Sequence, residues 1–364
     1  MSWRGERPLH VELSDDDARR LFVRAQRLDD SARSDGADVA GVVRAVVGLQ
    51  AQDAGAGSLG VRARLAGATR SAVDRARFED RTIARAWVMR GTLHFVAAED
   101  VRWMVALLGP VGLRRNAKRI ASMGVESDEA MDAVRSALAG GGPLTRQELA
   151  DHARRRGVRL ADDPQSAAHL AGRAALKGQI CEAEPRSGKP TYVLTDDWLP
   201  ADERGSFDRD AAVADLARRY LAAHPPAAPQ DFASWSGLPI ADARAGFAAM
   251  ERDLEEVRFL DRTAYVLRGS DRAEGRVVRL LPAWDNFLLA HRDRALTVRP
   301  EQEIGIMPGG GVLRPSVMVD GRIEGGWRLD RGKPTVEPFA ANLPRAVAAA
   351  VEDEAADVVR FRSG

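Results

Sequence analysis

The chain has 364 residues, of which 45% are hydrophobic and 29% charged, with a formal net charge of +1; this is enough for two or three packed domains and excludes a disordered chain. No apolar run approaches the ~20 residues that span a bilayer, and the polar start Met1-Ser2-Trp3-Arg4 has no apolar signal-peptide core, so a cytoplasmic protein with no membrane partner is expected. The single cysteine, Cys181, excludes an intrachain disulfide, and the scattered histidines (His10, His94, His152, His169, His224 and His291) lack ligand spacing, so neither a metal nor a cofactor is expected.

Ser14 followed by Asp15, Asp16 and Asp17 gives a hydroxyl N-cap with acids in the first turn, which predicts a helix to about residue 28. A loop over 29–36 precedes an apolar helical stretch at 39–47. Then come Gln50-Ala51-Gln52, a Gly-rich turn over 53–60 and a region of helical character to about residue 77. Two apolar runs, 86–89 and 92–96, flank Arg90-Gly91 and read as a β-hairpin. A helix over 98–108 follows.

In the middle of the chain, Thr145 with Glu148 three residues later forms a capping-box signature. A second helix over 164–176 and two strands, 177–182 and 190–194, complete a helix-turn-helix with a wing. The pattern recurs as helices over 210–221, 229–235 and 239–250 with strands at 255–260 and 263–267. The N-terminal region, with its own hairpin, reads as a third and divergent copy, a repeat of roughly 70–80 residues. Beyond it, a strand at 276–281, a Gly309-Gly310-Gly311 joint, a hairpin turning at Asp320-Gly321 and an Ala-rich helix over 343–357 read as a small α+β lobe. The expected fold is α+β, with units at 1–125, 126–200 and 201–270 and a lobe at 271–364.

Several side chains stand out. In an extended segment Gln50 and Gln52 point to one face and Ala51 to the other. Two neutral amides aimed at one spot can hold a water or a base edge, or they can simply cap a helix end. Asp53 reads as a turn residue. Only Lys118, Lys177, Lys189 and Lys333 among 54 basic residues are lysine; arginine suits forked phosphate contacts, although a GC-rich genome gives the same bias. Arg114, Arg115, Lys118 and Arg119 form one basic cluster, and Arg154, Arg155 and Arg156 another. Arg90, Thr92 and His94 fit either a tight turn with a buried His or the rim of a DNA channel. Asp285 is expected to pair with Arg294, and Arg292 and Arg294 are candidate phosphate contacts. Trp284, Trp327, Phe287 and Cys181 are expected in the core.

The stretches 49–52, 87–94, 281–294, and Asp320-Gly321 with Gly326-Trp327-Arg328 together resemble the AlkZ/YcaQ family of bacterial tandem winged-helix DNA glycosylases, in order and over nearly the whole chain. The resemblance implies a C-shaped DNA-binding molecule in which a Gln-apolar-Gln motif is catalytic, placing that role on Gln50 and Gln52. Gln at the second position, where the other branch has Asp, points to the AlkZ branch; Ala51 is smaller than the usual middle residue. That branch removes bulky N7-alkylguanine adducts, in some members unhooks interstrand crosslinks, and is associated with self-resistance to genotoxic natural products. The implied partner is double-stranded DNA with an alkylated purine, bound by a monomer, with Arg90, Thr92, His94, Arg114, Arg115, Arg292 and Arg294 as the DNA-contacting set.

The chemistry is consistent with this assignment. An amide is no general base at neutral pH, but it can position water. N7-alkylation makes guanine cationic and a good leaving group, so positioning and charge stabilisation suffice. No lysine neighbours the motif in sequence, so lyase chemistry through a Schiff base is not expected. The rivals are a winged-helix regulator, which shifts unmodified operator DNA, and a scaffold that uses winged helices without DNA.

Overall fold

A computed structural model describes residues 11–201 and 205–364; the N-terminal start and His10 lie outside the described residues. Within them, one order of elements occurs three times: helix, short strand, helix, helix, hairpin. The first runs through Val39–Ala45, Leu49–Gln50, Ala54–Arg64, Arg70–Phe78, Ile83–Trp87 and Leu93–Ala97. The second runs through Asp128–Ala139, Leu144–Thr145, Arg146–Arg155, Ser166–Leu176, Ile180–Arg186 and Lys189–Leu194. The third runs through Arg209–Ala223, a single bridge at Ala227, Pro229–Ser236, Ile240–Ala249, Leu254–Phe259 and Arg262–Leu267. Each time the short segment pairs antiparallel with the second hairpin strand: Gln50 with His94, Thr145 with Thr191, and Ala227 with Tyr265. The fold is α+β with tandem winged helices, and the N-terminal copy follows the same order as the others.

Local chemistry starts the helices where the sequence indicates. Ser14 accepts from the Asp17 backbone amide at the head of Asp15–Ala25, and Thr145 and Glu148 close the capping box. The structure departs from the sequence reading at four points. Residues 53–60 are not a turn but the head of Ala54–Arg64, with Asp53 as N-cap accepting from Ala56 N at 2.7 Å. Glycine disfavours a helix by about 1 kcal/mol, yet tertiary packing demands it here. A Cβ on Gly57 would lie 2.7 Å from the Ala51 Cβ and 2.8 Å from the Phe95 ring. Residues 30–33, expected in a loop, form a short helix. The helix expected to end at 108 continues to Arg115. In the C-terminal lobe a fourth strand, Lys333–Pro338, joins Arg322–Asp330, giving a sheet ordered Val278–Leu281, Ser316–Val319, Arg322–Asp330, Lys333–Pro338. Its two prolines are tolerated because it lies at the sheet edge. The last helix, Arg345–Ser363, packs Val347, Val351 and Val358 against this sheet.

The units share their cores. Trp103 and Leu107 of Ala98–Arg115 pack with Leu216, Tyr220 and Trp235 of the third unit. Phe22 of Asp15–Ala25 stacks on Phe287 at 4.5 Å between centroids, joining the N-terminus to the lobe. Val11–Glu12 adds a parallel strand to Leu254–Phe259. Cys181, Trp327 and Phe287 are buried as expected, whereas Trp284 is only partly so. Among the described residues no helix is long and apolar enough to cross a membrane.

Candidate active site

Leu49–Gln50 is the outermost strand of the first wing, and Ala51 is fully buried among Val61, Phe95 and Phe361. Its amide donates to Leu93 O at 2.8 Å. This anchor leaves Gln50 nearly buried, at 9% exposure, and Gln52 exposed. Both amides reach the hairpin turn. Gln50 Oε1 accepts from Arg90 Nη2 at 3.1 Å, and Gln52 Oε1 accepts from the Leu93 backbone amide at 3.3 Å. A guanidinium and a backbone N–H can only donate, so each amide oxygen is turned toward its partner and each NH2 faces away.

All parts of the molecule hold this segment. From the lobe, Asn286 accepts from Gln50 N at 3.0 Å and donates to Gly48 O. From the hairpin, Arg85 donates to Ala51 O at 2.7 Å and to Gln52 O at 2.9 Å. Arg85 is in turn paired with the second unit's Glu182 at 2.7 Å, which also pairs with Arg77 at 2.9 Å. From the third unit, the Trp235 carbonyl accepts from Arg90 Nη1. Gln52, Gly91, Asn116, His169 and Tyr192 border a polar cavity of about 400 Å³ between the first and second units. Asn286, Arg85 and Gly57 were not singled out in the sequence; Asn286 lay within a noted stretch beside Asp285, and Gly57 within the expected Gly-rich turn.

The structure bonds Gln50 to Arg90 and seats Gln52 against the Leu93 backbone of the same hairpin. Arg90 sits in the turn Met89–Gly91 with a left-handed backbone (φ 56°), which breaks the strand alternation expected to align it with Thr92 and His94. It is half-buried, and burial first, then the cations Arg115 and Arg294, push its pKa down to about 10. Thr92 closes the turn, its Oγ1 donating to Met89 O at 3.0 Å. His94 is corrected: it is not at a rim but 1% exposed, with Nδ1 3.0 Å from Thr92 O. Since a carbonyl only accepts, Nδ1 carries the proton. Arg114, Arg115 and Arg292 are exposed, with Arg114 and Arg115 in the last turn of Ala98–Arg115. Arg294 is partly buried, donating to Leu288 O at 2.9 Å and lying 3.7 Å from Glu303. Asp285 pairs not with Arg294 but with Arg64, at 2.7 Å and 2.9 Å.

Burial also sets a pH response. Desolvation pushes both His94 and His224 down to about 3, and His291 is lowered as well. In the unfolded chain these imidazoles protonate near 6.5, while in the fold they stay neutral. The unfolded state therefore gains protons as pH falls through 6.5 toward 3, and the fold loses stability over that window. Between pH 7 and 5.5 His94 and His224 together are expected to cost about 2–3 kcal/mol. Urea midpoints at the two pH values measure it; an unchanged midpoint contradicts neutral burial.

The comparisons with known proteins agree with this picture. A family model described as "DNA glycosylase AlkZ-like" matches residues 43–361. An "Interstrand DNA cross-link repair glycosylase" of Streptomyces sahachiroi is 29% identical over 336 residues, covering 88% of this chain and 89% of that protein. The solved structure of the Streptomyces sahachiroi DNA glycosylase AlkZ superposes with a TM-score of 0.80 at 26% identity, covering 96% of this chain and 97% of that one. Family model, relative and fold converge: the chain belongs to the AlkZ-like family of DNA glycosylases.

Proposed function

We propose that this glycosylase hydrolyses the N-glycosidic bond of N7-alkylated guanine in duplex DNA, including bulky adducts and interstrand crosslinks, and leaves an abasic site. The observation that carries the reading is a pair of neutral amides held on one hairpin, Gln50 by Arg90 and Gln52 by the Leu93 backbone, on a segment that every part of the molecule braces. The nearest carboxylates are engaged elsewhere: Asp53 caps its helix, and Glu182 is buried between Arg77 and Arg85. A site without a free base suits a bond that is already activated.

In this reading water attacks C1′ as the bond to N9 breaks, and the bonding electrons neutralise the cationic base. The proton of the attacking water passes to solvent. Each amide oxygen has a second lone pair with which to accept from that water, and each NH2 can donate to an acceptor atom of the departing guanine, O6 or N3. A normal purine, lacking the positive charge, is left in place. The three winged-helix units (1–125, 126–200, 201–270) and the lobe (271–364) grip the duplex as a monomer. Arg114, Arg115, Arg292 and Arg294 take backbone phosphates, and the enzyme works at the nucleoid in the cytoplasm. The relative's crosslink-repair name supports the substrate class.

The test is release of free base from a duplex with one N7-alkylguanine, followed by alkaline cleavage of the abasic site. Cleavage with both methyl and bulky adducts, and none of unmodified DNA, is expected. Binding to unmodified operator-like DNA without base release returns the regulator reading.

A further inference from the structure

The guanidinium of Arg90 has two neutral partners, Gln50 Oε1 and the Trp235 carbonyl, and no carboxylate among the described residues. A half-buried cation held only by carbonyls is costly unless an anion joins it. Its neighbours add to the excess of charge. Arg115 and Arg294 both act on it as like charges. Gly237, with φ +84°, packs at 3.4 Å (Cβ position) from Arg90 Cα and 3.5 Å from Arg115 Nη1. A Cβ at that position would be in ordinary contact with both arginines. Arg294 has Glu303 at 3.7 Å, with Asp293 as a further counter-charge. Among the described residues, no other guanidinium without a carboxylate partner bonds directly to the glutamine motif.

We infer that Arg90 is a positioning residue for Gln50, and that Arg90, Arg115 and Arg294 together seat one phosphodiester of the damaged strand beside the lesion. This rests on the reading of Gln50 as catalytic. The fork of Arg90 spans Gln50 Oε1 and the third unit's Trp235 carbonyl, so it fixes the Gln50 amide with its NH2 toward the base. The phosphate supplies the missing anion and holds the fork in place. Backbone binding and amide orientation are thereby one event.

The positioning arm compares single-turnover base release with duplex binding. Arg90→Lys keeps a cation but not the planar fork. It is expected to lower the saturating rate about tenfold while the dissociation constant shifts less than about threefold. Arg90→Ala is expected to lower the rate and to raise the dissociation constant. On a Gln50→Ala background, Arg90→Lys is expected to add no further loss, because the amide it orients is gone. Full activity of Arg90→Lys, or losses that multiply in the double variant, overturns the positioning role. The seat is tested with a 2′-fluorinated, non-cleavable N7-methylguanine duplex in which one linkage at a time is a neutral methylphosphonate. One linkage near the lesion is expected to cost the wild type about tenfold in affinity and to cost Arg90→Ala nothing more. An equal cost in both proteins at every linkage overturns the seat. This arm needs no base release, so an inactive wild type defeats the glycosylase substrate reading and leaves the seat decided by binding alone.

Discussion

Replacing Asp285 with alanine is expected to remove about 3–5 kcal/mol of folding stability. Asp285 and Arg64 are both completely buried and joined by two hydrogen bonds, 2.7 Å and 2.9 Å. Arg64 also donates to Gly60 O at 3.1 Å and to Gln26 Oε1 at 2.9 Å, and Gln26 Nε2 donates to Ala223 O at 2.7 Å. The network therefore ties the first unit, the N-terminal helix, the third unit and the lobe together. Asp285 further caps the short helix Asn286–Leu289, accepting from Phe287 N at 2.9 Å. Truncation leaves a guanidinium with no counter-ion in a dry interior and removes a cap at the same time. Urea unfolding of wild type and Asp285→Ala measures the loss, and a difference below about 1 kcal/mol contradicts the assignment. The paired replacement Arg64→Met with Asp285→Leu separates charge from packing. It deletes both ions, and it is expected to recover most of the stability, since apolar replacement of a buried pair is often neutral or favourable. Base release is expected to fall with Asp285→Ala as well, because Asn286, the next residue, holds Gly48 O and Gln50 N.

That ion pair also marks where the sequence ceased to be readable. Helix starts at Ser14 and Thr145, and the hairpin around Arg90-Gly91, follow from rules that act over three or four residues. Arg64 and Asp285 are 221 positions apart, and nothing local distinguishes Arg64 from Arg294 as the partner. Gly57 reads as part of a turn because glycines usually make turns; its actual duty, clearance for Ala51 and Phe95, exists only once the helix packs on the strand. The placement of Ala51 in the core with two glutamines beside it was legible from the period of a strand. For His94 the sequence left a buried histidine and a channel rim both open, because strand period alone does not show that both faces of Leu93–Ala97 are covered. Asn286 lay in a family-like stretch beside the more conspicuous Asp285, and Arg85 lay outside the noted stretches, so neither was marked as fixing the backbone of the motif. Which side chains meet around the motif is set by tertiary contacts that no local pattern in the sequence displays.

At the motif itself, Gln52→Ala is expected to lower the saturating single-turnover release of N7-alkylguanine by about 10²–10³-fold, the loss typical when one preorganised polar group at the reacting centre is removed. Gln52 is exposed and makes one side-chain hydrogen bond, to Leu93 N at 3.3 Å, so its truncation is expected to leave the unfolding midpoint unchanged. Gln50→Ala is expected to lose a similar factor with a small stability cost, because it removes the Arg90 contact at 3.1 Å from a nearly buried position. DNA affinity is expected to change little in either, since neither amide carries the charge that dominates backbone binding. If the two amides share one water and one departing base, the double variant loses far less than the product of the single losses, as groups acting as a unit are not additive. If instead the losses multiply, each amide serves a separate step, one placing water and the other easing the base away. A rate within threefold of wild type for both single variants, on methyl and bulky adducts alike, removes the glutamines from the reaction and leaves them as supports of the hairpin turn.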